Sequence, residues 1–137
     1  MTTKNFDKLL AEISKTGKPN FEDNEYISQF FIPFNSIRNS ILEEQDKIPK
    51  YLYFINSGYM RLFYYDDNGE EQTTFLCSEY GFIASFSSLI NQTKATENVE
   101  CITDCELLKI SFVNAKQLVE KSEIFKNFFL VMFEKSI

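Results

Sequence analysis

Apolar residues recur at helical spacing in the first stretch of the chain. Phe6, Leu9, Leu10 and Ile13 stand at i, i+3, i+4 and i+7, which predicts a short amphipathic helix. Gly17 and Pro19 supply its stop. Tyr26, Ile27, Phe30 and Phe31 form a second helical pattern that ends at Pro33, where the ring blocks continuation. From Tyr51 the pattern changes to strands. Tyr51 to Asn56 is an aromatic and aliphatic run broken by Ser57-Gly58, and Tyr59 to Tyr65 is a second. Asp66 to Gly69 then reads as a tight turn, because Asn-Gly tolerates positive φ, and Glu70 to Cys77 resumes as a strand. The two runs flanking that turn predict a hairpin.

Residues 80–90 read as the end of a strand passing into one helical turn, with small polar residues at the entry. Asn98 to Thr103 and Cys105 to Phe112 read as two further strands joined near Asp104. In the second, Leu108, Ile110 and Phe112 take one face while Lys109 and Ser111 take the other. Asn114 to Glu120 predicts a short helix capped by Ser111 or by Asn114. The last pattern, Ile124 to Ile137, places Phe125, Phe128, Phe129, Met132 and Phe133 on one stripe and Leu130 and Val131 on the opposite side. A helix apolar nearly all round has two faces to bury. Short strands at close spacing predict a small antiparallel barrel or sandwich, mainly β with flanking helices. The expected layout is an N-terminal helical lead-in over 1–34, a β-barrel core over 35–112 and C-terminal helices over 113–137.

At 137 residues and 16.1 kDa the chain is one domain. It contains no histidine, which excludes Ser-His-Asp and Cys-His catalysis and histidine-ligated metal. The formal net charge is −6, and residues 51–100 set only Arg61 and Lys94 against seven acidic groups, so the central segment is not built to attract anions. The serines at 85, 87 and 88 lack a base, and the acids at the hairpin tip lack the alternation of a calcium loop. No enzyme, no metal and no cofactor is expected. Cys77, Cys101 and Cys105 read as reduced, half-buried thiols; Cys101-x-x-x-Cys105 lacks the second pair that a metal site needs. No stretch is long and apolar enough for a membrane span, the first residues lack the apolar core of a signal peptide, and a cytoplasmic protein is expected.

Tyr53-Phe54-Ile55-Asn56-Ser57-Gly58-Tyr59-Met60-Arg61-Leu62 resembles a stretch of the Crp/Fnr superfamily of bacterial regulators. Further pieces follow in the family's order. Asp67 to Glu71 looks like its hairpin, and Phe82-Ile83 sits where its phosphate-binding cassette begins. Glu106 to Ser111 is similar to its last barrel strand, and Ile124 onward to its long dimerising helix. The tyrosine-rich strands resemble the Bacteroidetes members. The resemblance, over about residues 25 to 137, implies a cyclic-nucleotide-binding-type jelly-roll barrel that senses an effector. It further implies a homodimer paired through Phe125, Phe128, Phe129, Met132 and Phe133. In the family DNA is bound by a helix-turn-helix domain after the long helix, and this chain ends before one.

Family members that bind cyclic AMP carry a Gly-Glu pair and, about ten residues later, an Arg-Ser pair. Carried over without gaps, Ala84 stands for the glycine, Ser85 for the glutamate, Ala95 for the arginine and Thr96 for the serine. Only the Thr96 hydroxyl keeps its role. Losing a charge-assisted contact costs about 1.5–3 kcal/mol, so cyclic AMP binding is not expected. The resemblance therefore implies a regulator's sensor domain with an unidentified small-molecule effector. Two other readings stand beside it: a free-standing protein-interaction module that kept the barrel, and a binder of an apolar small molecule.

Overall fold

Sequence pattern and backbone chemistry account for each element of the computed structural model, which describes the backbone of residues 2–136 and the side chains of residues 5–135. The final residue of the expected terminal helix, Ile137, lies outside the described residues. Helix α1 spans Thr2–Ile13 and α2 spans Phe21–Phe30. A reciprocal cap starts α2: Asn20 accepts the Asp23 N–H at 2.8 Å while Asp23 accepts the Asn20 N–H at 2.9 Å. The chain leaves α2 at Phe31 in an extended conformation, before Pro33.

Eight strands follow: β1 (Ile32–Ser36), β2 (Ile41–Glu43), β3 (Tyr51–Ser57), β4 (Met60–Tyr65), β5 (Glu71–Cys77), β6 (Phe82–Ile83), β7 (Asn98–Cys101) and β8 (Cys105–Ser111). Helix α3 (Phe86–Asn91) interrupts them between β6 and β7, and α4 (Phe112–Lys121) and α5 (Glu123–Ser136) end the chain. The strands form two four-stranded antiparallel sheets, ordered β1-β8-β3-β6 and β2-β7-β4-β5. This is a mainly β jelly-roll architecture with flanking helices.

Consecutive strands change sheets at every connection but β4–β5, and two of these crossings touch. Gly58, between β3 and β4, has φ +108°, and a Cβ there would lie 2.6 Å from both the Asp104 carbonyl oxygen and Cys105 Sγ. Only glycine fits where the β3–β4 crossing packs on the β7–β8 crossing. The Asn68-Gly69 turn joins β4 to β5 as the sequence predicts, with Gly69 at φ +78°. Arg61 faces outward from β4 and ties both neighbours: its Nε donates to Glu100 on β7 at 2.7 Å, and its guanidinium also reaches Thr73 and Glu71 on β5. The arginine of the family-like stretch is thus a stitch across the sheet.

The strands β3 and β8 are buried on both faces. Tyr53, Ile55 and Leu107 point into the barrel against Met60, Leu62, Val99 and Cys101. Leu52, Phe54, Leu108 and Ile110 point outward, and α1, α2, α4 and α5 cover them with Leu9, Ile13, Ile27, Phe31, Leu118 and Phe125. The helices therefore share a core with the barrel. A buried polar link fixes their junction: Ser122 Oγ donates to Asp23 Oδ1 at 2.7 Å and accepts the Phe125 N–H at 3.1 Å.

Three elements differ from expectation. Strands β1 and β2 carry no alternating apolar pattern; β1 begins at Ile32, within the expected helical lead-in, and pairs with β8 from Ile32↔Lys109 to Ser36↔Cys105. Helix α4 starts at Phe112, capped by Ser111 rather than by Asn114, whose N–H the Ser111 hydroxyl accepts.

Candidate functional site

The expected cassette is where the barrel's open side meets the helices. Strand β6 pairs with β3 through Tyr53↔Ile83 and delivers Ala84 and Ser85 to the start of α3. Ala84 is 3% exposed and Ser85 is 7% exposed. Ser85 occupies the capping position of α3, but its hydroxyl makes no cap bond and has no hydrogen-bond partner. A buried hydroxyl with no partner is unusual, because its desolvation is left uncompensated. The loop after α3 closes through Gln92 in the left-handed region, φ 52°, with Thr93 N–H donating to the Ser88 carbonyl at 3.0 Å. Ser88 Oγ donates onward to the Lys94 carbonyl at 3.3 Å.

A cavity of about 610 Å³ opens against this segment. Ala84, Ser85, Phe86, Ser87 and Ser88 form its floor, and Leu62, Thr74, Phe75, Phe82, Thr96 and Glu97 form its barrel wall. The far wall comes from the helices: Phe128, Val131, Met132 and Lys135 of α5, with Glu12, Lys15 and Thr16 at the end of α1. Its two lysines and two glutamates balance in number. Lys15 pairs with Glu12 at 2.8 Å, and Glu97 accepts the Thr74 hydroxyl. The volume suits a small organic ligand. Nearby, burial pushes the Cys77 thiol up to about 11, against a weaker opposing effect of the Ser78 backbone, so its protonated form is favoured at neutral pH.

Three of the four expected cassette positions, Ala84, Ser85 and Thr96, line this cavity. Ala95 does not. It is 2% exposed, its N–H donates to the Lys47 carbonyl at 2.8 Å and its carbonyl accepts the Asp46 N–H at 2.7 Å. The position carried over for the arginine is packed against the 46–47 loop, turned away from the ligand space. Leu62 and Phe75 were not anticipated as walls. The turn alone would set Leu62 opposite Thr74, but a bulge between Leu62 and Phe63 moves the register to Leu62↔Phe75.

Most of the expected dimer stripe packs within the chain. Phe125 is fully buried in the chain's own core, with its ring 6.0 Å from that of Phe31, and Phe128 is 8% exposed and stacks 5.4 Å from Phe82. Phe129 and Met132 pack against the same core, and Phe133 is half-buried. The stripe faces the barrel because those rings fill the gap between β6, α2 and α4. The apolar side chains of α5 left exposed are Leu130, at 49%, and Val131, which is 37% exposed where it borders the cavity. Among the described residues, no helix is long and apolar enough to cross a membrane, and no group of three acidic, cysteine or histidine side chains is placed to hold a metal ion.

No curated protein matches the chain by sequence. Solved structures match it closely in shape. A cyclic nucleotide-binding domain from Methylobacillus flagellatus superposes with a TM-score of 0.81 at 18% identity, over 96% of this chain and 75% of its own. The catabolite activator protein of Thermus thermophilus gives 0.78 at 18% identity over 91% of this chain, which spans 57% of that protein's length. The sensor domain of the transcriptional regulator DNR from Pseudomonas aeruginosa gives 0.78 at 10% identity, over 98% of this chain and 89% of its own. At such identities the likeness establishes the fold alone. The sequence model of the cyclic nucleotide-binding domain matches residues 38–122, from the start of β2's approach to the end of α4. With the jelly roll and this match in agreement, the chain belongs to the cyclic nucleotide-binding domain family.

Proposed function

We propose that the chain is the effector-sensing domain of a Crp/Fnr-like transcriptional regulator, acting in the cytoplasm as a homodimer, and that its effector is an uncharged small molecule in place of cyclic AMP. The observation that carries the reading is the shared wall. The cassette and α5 border one cavity, so a ligand held by Ala84 to Ser88 touches Phe128, Val131 and Met132 on the helix that would report its presence. Differential contact with a movable element is what lets binding shift a conformational equilibrium.

Charge argues for the effector class. A cyclic phosphate needs a cation or a row of free donors, and the cavity wall offers Lys15 already paired with Glu12, Lys135 at its rim, and Glu97 opposite. The rest of the wall is largely apolar, with Leu62, Phe75, Phe82, Phe86, Phe128 and Met132, and it also carries the hydroxyls of Ser85, Ser87, Ser88 and Thr96, of which Ser85 is buried without a partner. That surface suits an apolar or aromatic body bearing a few hydrogen-bonding groups.

Two measurements test this. Titration calorimetry is expected to give no saturable binding of cyclic AMP at about 100 μM, and a dissociation constant in the low micromolar range contradicts the reading. Native mass spectrometry of the purified chain is expected to show a bound small molecule. Its removal is expected to speed hydrogen exchange in α5, and unchanged exchange there removes α5 as the reporter. One observation favours a stand-alone protein-interaction module instead. Strand β5 is a sheet edge along its whole length and carries Leu76 at 67% exposure. For that module, the mass spectrum shows no small molecule.

A further inference from the structure

The jelly roll has a second open side, and a lysine stands on its inward face there. The two sheets end in β1 and β2, on the side opposite the β5–β6 edge that carries the cassette. Lys109 pairs with Ile32 and with Tyr53, so it lies in the same row across the sheet as Tyr53, whose side chain is buried in the barrel. An alternating reading of β8 assigns Lys109 to the solvent face; the barrel assigns that face to Leu107 and the core. The Lys109 ammonium is held over two rings, 4.0 Å from the Phe34 centroid and 4.3 Å from the Tyr51 centroid. Among the described residues it makes no ion pair.

The groups around it are accounted for. Glu43 accepts the Tyr53 hydroxyl at 2.8 Å and the Lys50 N–H at 3.0 Å. Glu44 pairs with Lys47 at 2.9 Å. The Lys50 side chain, like Lys109, has no ion pair among the described residues. Glu43 has no ion pair among the described residues either, so the three lysines against two glutamates leave the cleft lining one net positive charge, in a chain whose net charge is −6. These residues border an open cleft of about 650 Å³. Its apolar rim is formed by Ile41 and Ile48, 43% and 49% exposed. An ammonium over aromatic faces, an apolar rim and a ligand-sized cleft make a complementary surface for one chemical class.

We propose that the cleft between β1 and β2 is a second small-molecule site, and that it takes an organic monocarboxylate with an apolar body. The carboxylate pairs with Lys109, and with Lys50 at the rim, while the body lies on Phe34, Ile41 and Ile48. The overall negative charge does not forbid this, because charges beyond about 8 Å are largely screened at physiological ionic strength and the contact pair is not. The site is independent of the cassette cavity, since the two share no residue.

Decanoate is the probe. In an amide NMR titration of the unmodified chain, shifts are expected to concentrate at Phe34, Tyr51 and Lys109. Shifts confined to Ala84 to Ser88, or no saturation below about 1 mM, overturn the proposal. By calorimetry, Lys109→Met is expected to weaken decanoate roughly tenfold to a hundredfold, the effect of a lost charge-assisted contact. Lys109→Arg is expected to retain most of the affinity. Decan-1-ol is expected to bind the unmodified chain about as weakly as decanoate binds Lys109→Met. Equal affinity of the acid and the alcohol overturns the carboxylate assignment. Should Lys109→Met fail to fold, the NMR titration and the acid-to-alcohol comparison decide on the unmodified chain.

Discussion

Ser85 is the residue at which folding and function pull apart. Its hydroxyl is buried without a partner at the start of α3, a place where folding alone would favour alanine. Ser85→Ala is expected to stabilise the ligand-free chain by about 1 kcal/mol, the size of an uncompensated hydroxyl. Urea unfolding checks this, and a lower midpoint would show that the hydroxyl is already satisfied. Ala95 teaches the reverse. The family pattern points to it as the arginine position, so Ser85→Glu with Ala95→Arg would be expected to restore cyclic AMP binding. Because Ala95 is enclosed and bonded on both sides to the 46–47 loop, a guanidinium there has no room, and overpacking of this kind costs about 1–3 kcal/mol before any charge is buried. Thr96 is the neighbour on the cavity wall. In calorimetry, Ser85→Glu with Thr96→Arg is expected to gain cyclic AMP affinity and the Ala95 pair is not. The thiols give a pH signature. Burial is the main cause that raises Cys101 to about 12 and Cys77 to about 11, from an ordinary value of 9.0. A thiol with a raised folded-state value favours the fold fully below its unfolded value and loses that contribution as pH climbs through the folded one. Stability is therefore expected to be flat in these groups below about pH 9 and to fall from there toward pH 12. Thermal melts across that range check the sign, and Cys101→Val should flatten part of the slope.

The elements differ in how far their sequences reveal them. The β4–β5 hairpin is legible because Asn68-Gly69 states its own backbone conformation and the flanking runs are long. Strand β1 is not, since Pro33, Asn35 and Ser36 carry no strand signal and only the partner β8 makes it one. The apolar circumference of α5 predicts two buried faces, yet periodicity cannot say which face meets the barrel. Packing of Phe125 against Phe31 and of Phe128 against Phe82 decides it, and leaves Leu130 outward and Val131 at the cavity. That division sets two expectations. Phe125→Ala should cost about 3–5 kcal/mol, as for a fully buried aromatic, whatever the oligomeric state. Leu130→Lys should leave unfolding nearly unchanged but dissociate a dimer formed through this face. Sedimentation velocity reads the second, and a monomeric unmodified chain at high concentration rules out the α5 dimer. Ser122, which joins α2 to the α4–α5 junction through Asp23 and the Phe125 N–H, is the corresponding polar link. Ser122→Ala is expected to destabilise by about 1–3 kcal/mol, because it leaves one oxygen of the buried Asp23 carboxylate without its donor.

For the molecule as a whole, the barrel interior and the helix-covered outer face of one sheet are separate cores that share β3 and β8. The two open sides of the jelly roll are where those cores stop, and both candidate sites lie there. The cassette side is walled by α1 and α5, whereas the β1–β2 side opens to solvent without a covering helix. A sequence reading finds the first side by family pattern, since short motifs in a fixed order mark the cassette. The second is hidden from it because Lys109, Glu43 and Tyr53 are scattered over 67 residues and meet only through sheet register. Charge then fixes what the assembled surface can bind. The chain has 14 basic and 20 acidic groups, and no described helix gathers its lysines into a continuous basic face. Nucleic acid binding rests on counterions released by phosphate contacts, with a salt slope of about −0.9 per contact on duplex DNA. A surface of net charge −6 with Arg61 already tied to Glu71 and Glu100 has few such contacts to offer. These 137 residues are accordingly expected to leave duplex DNA unbound even at about 50 mM salt, where the electrostatic term is strong. Fluorescence anisotropy with a random-sequence duplex checks this. Tight binding that weakens steeply as salt is raised would mean that a basic surface has been missed, and the regulator reading would then need no further DNA-binding segment.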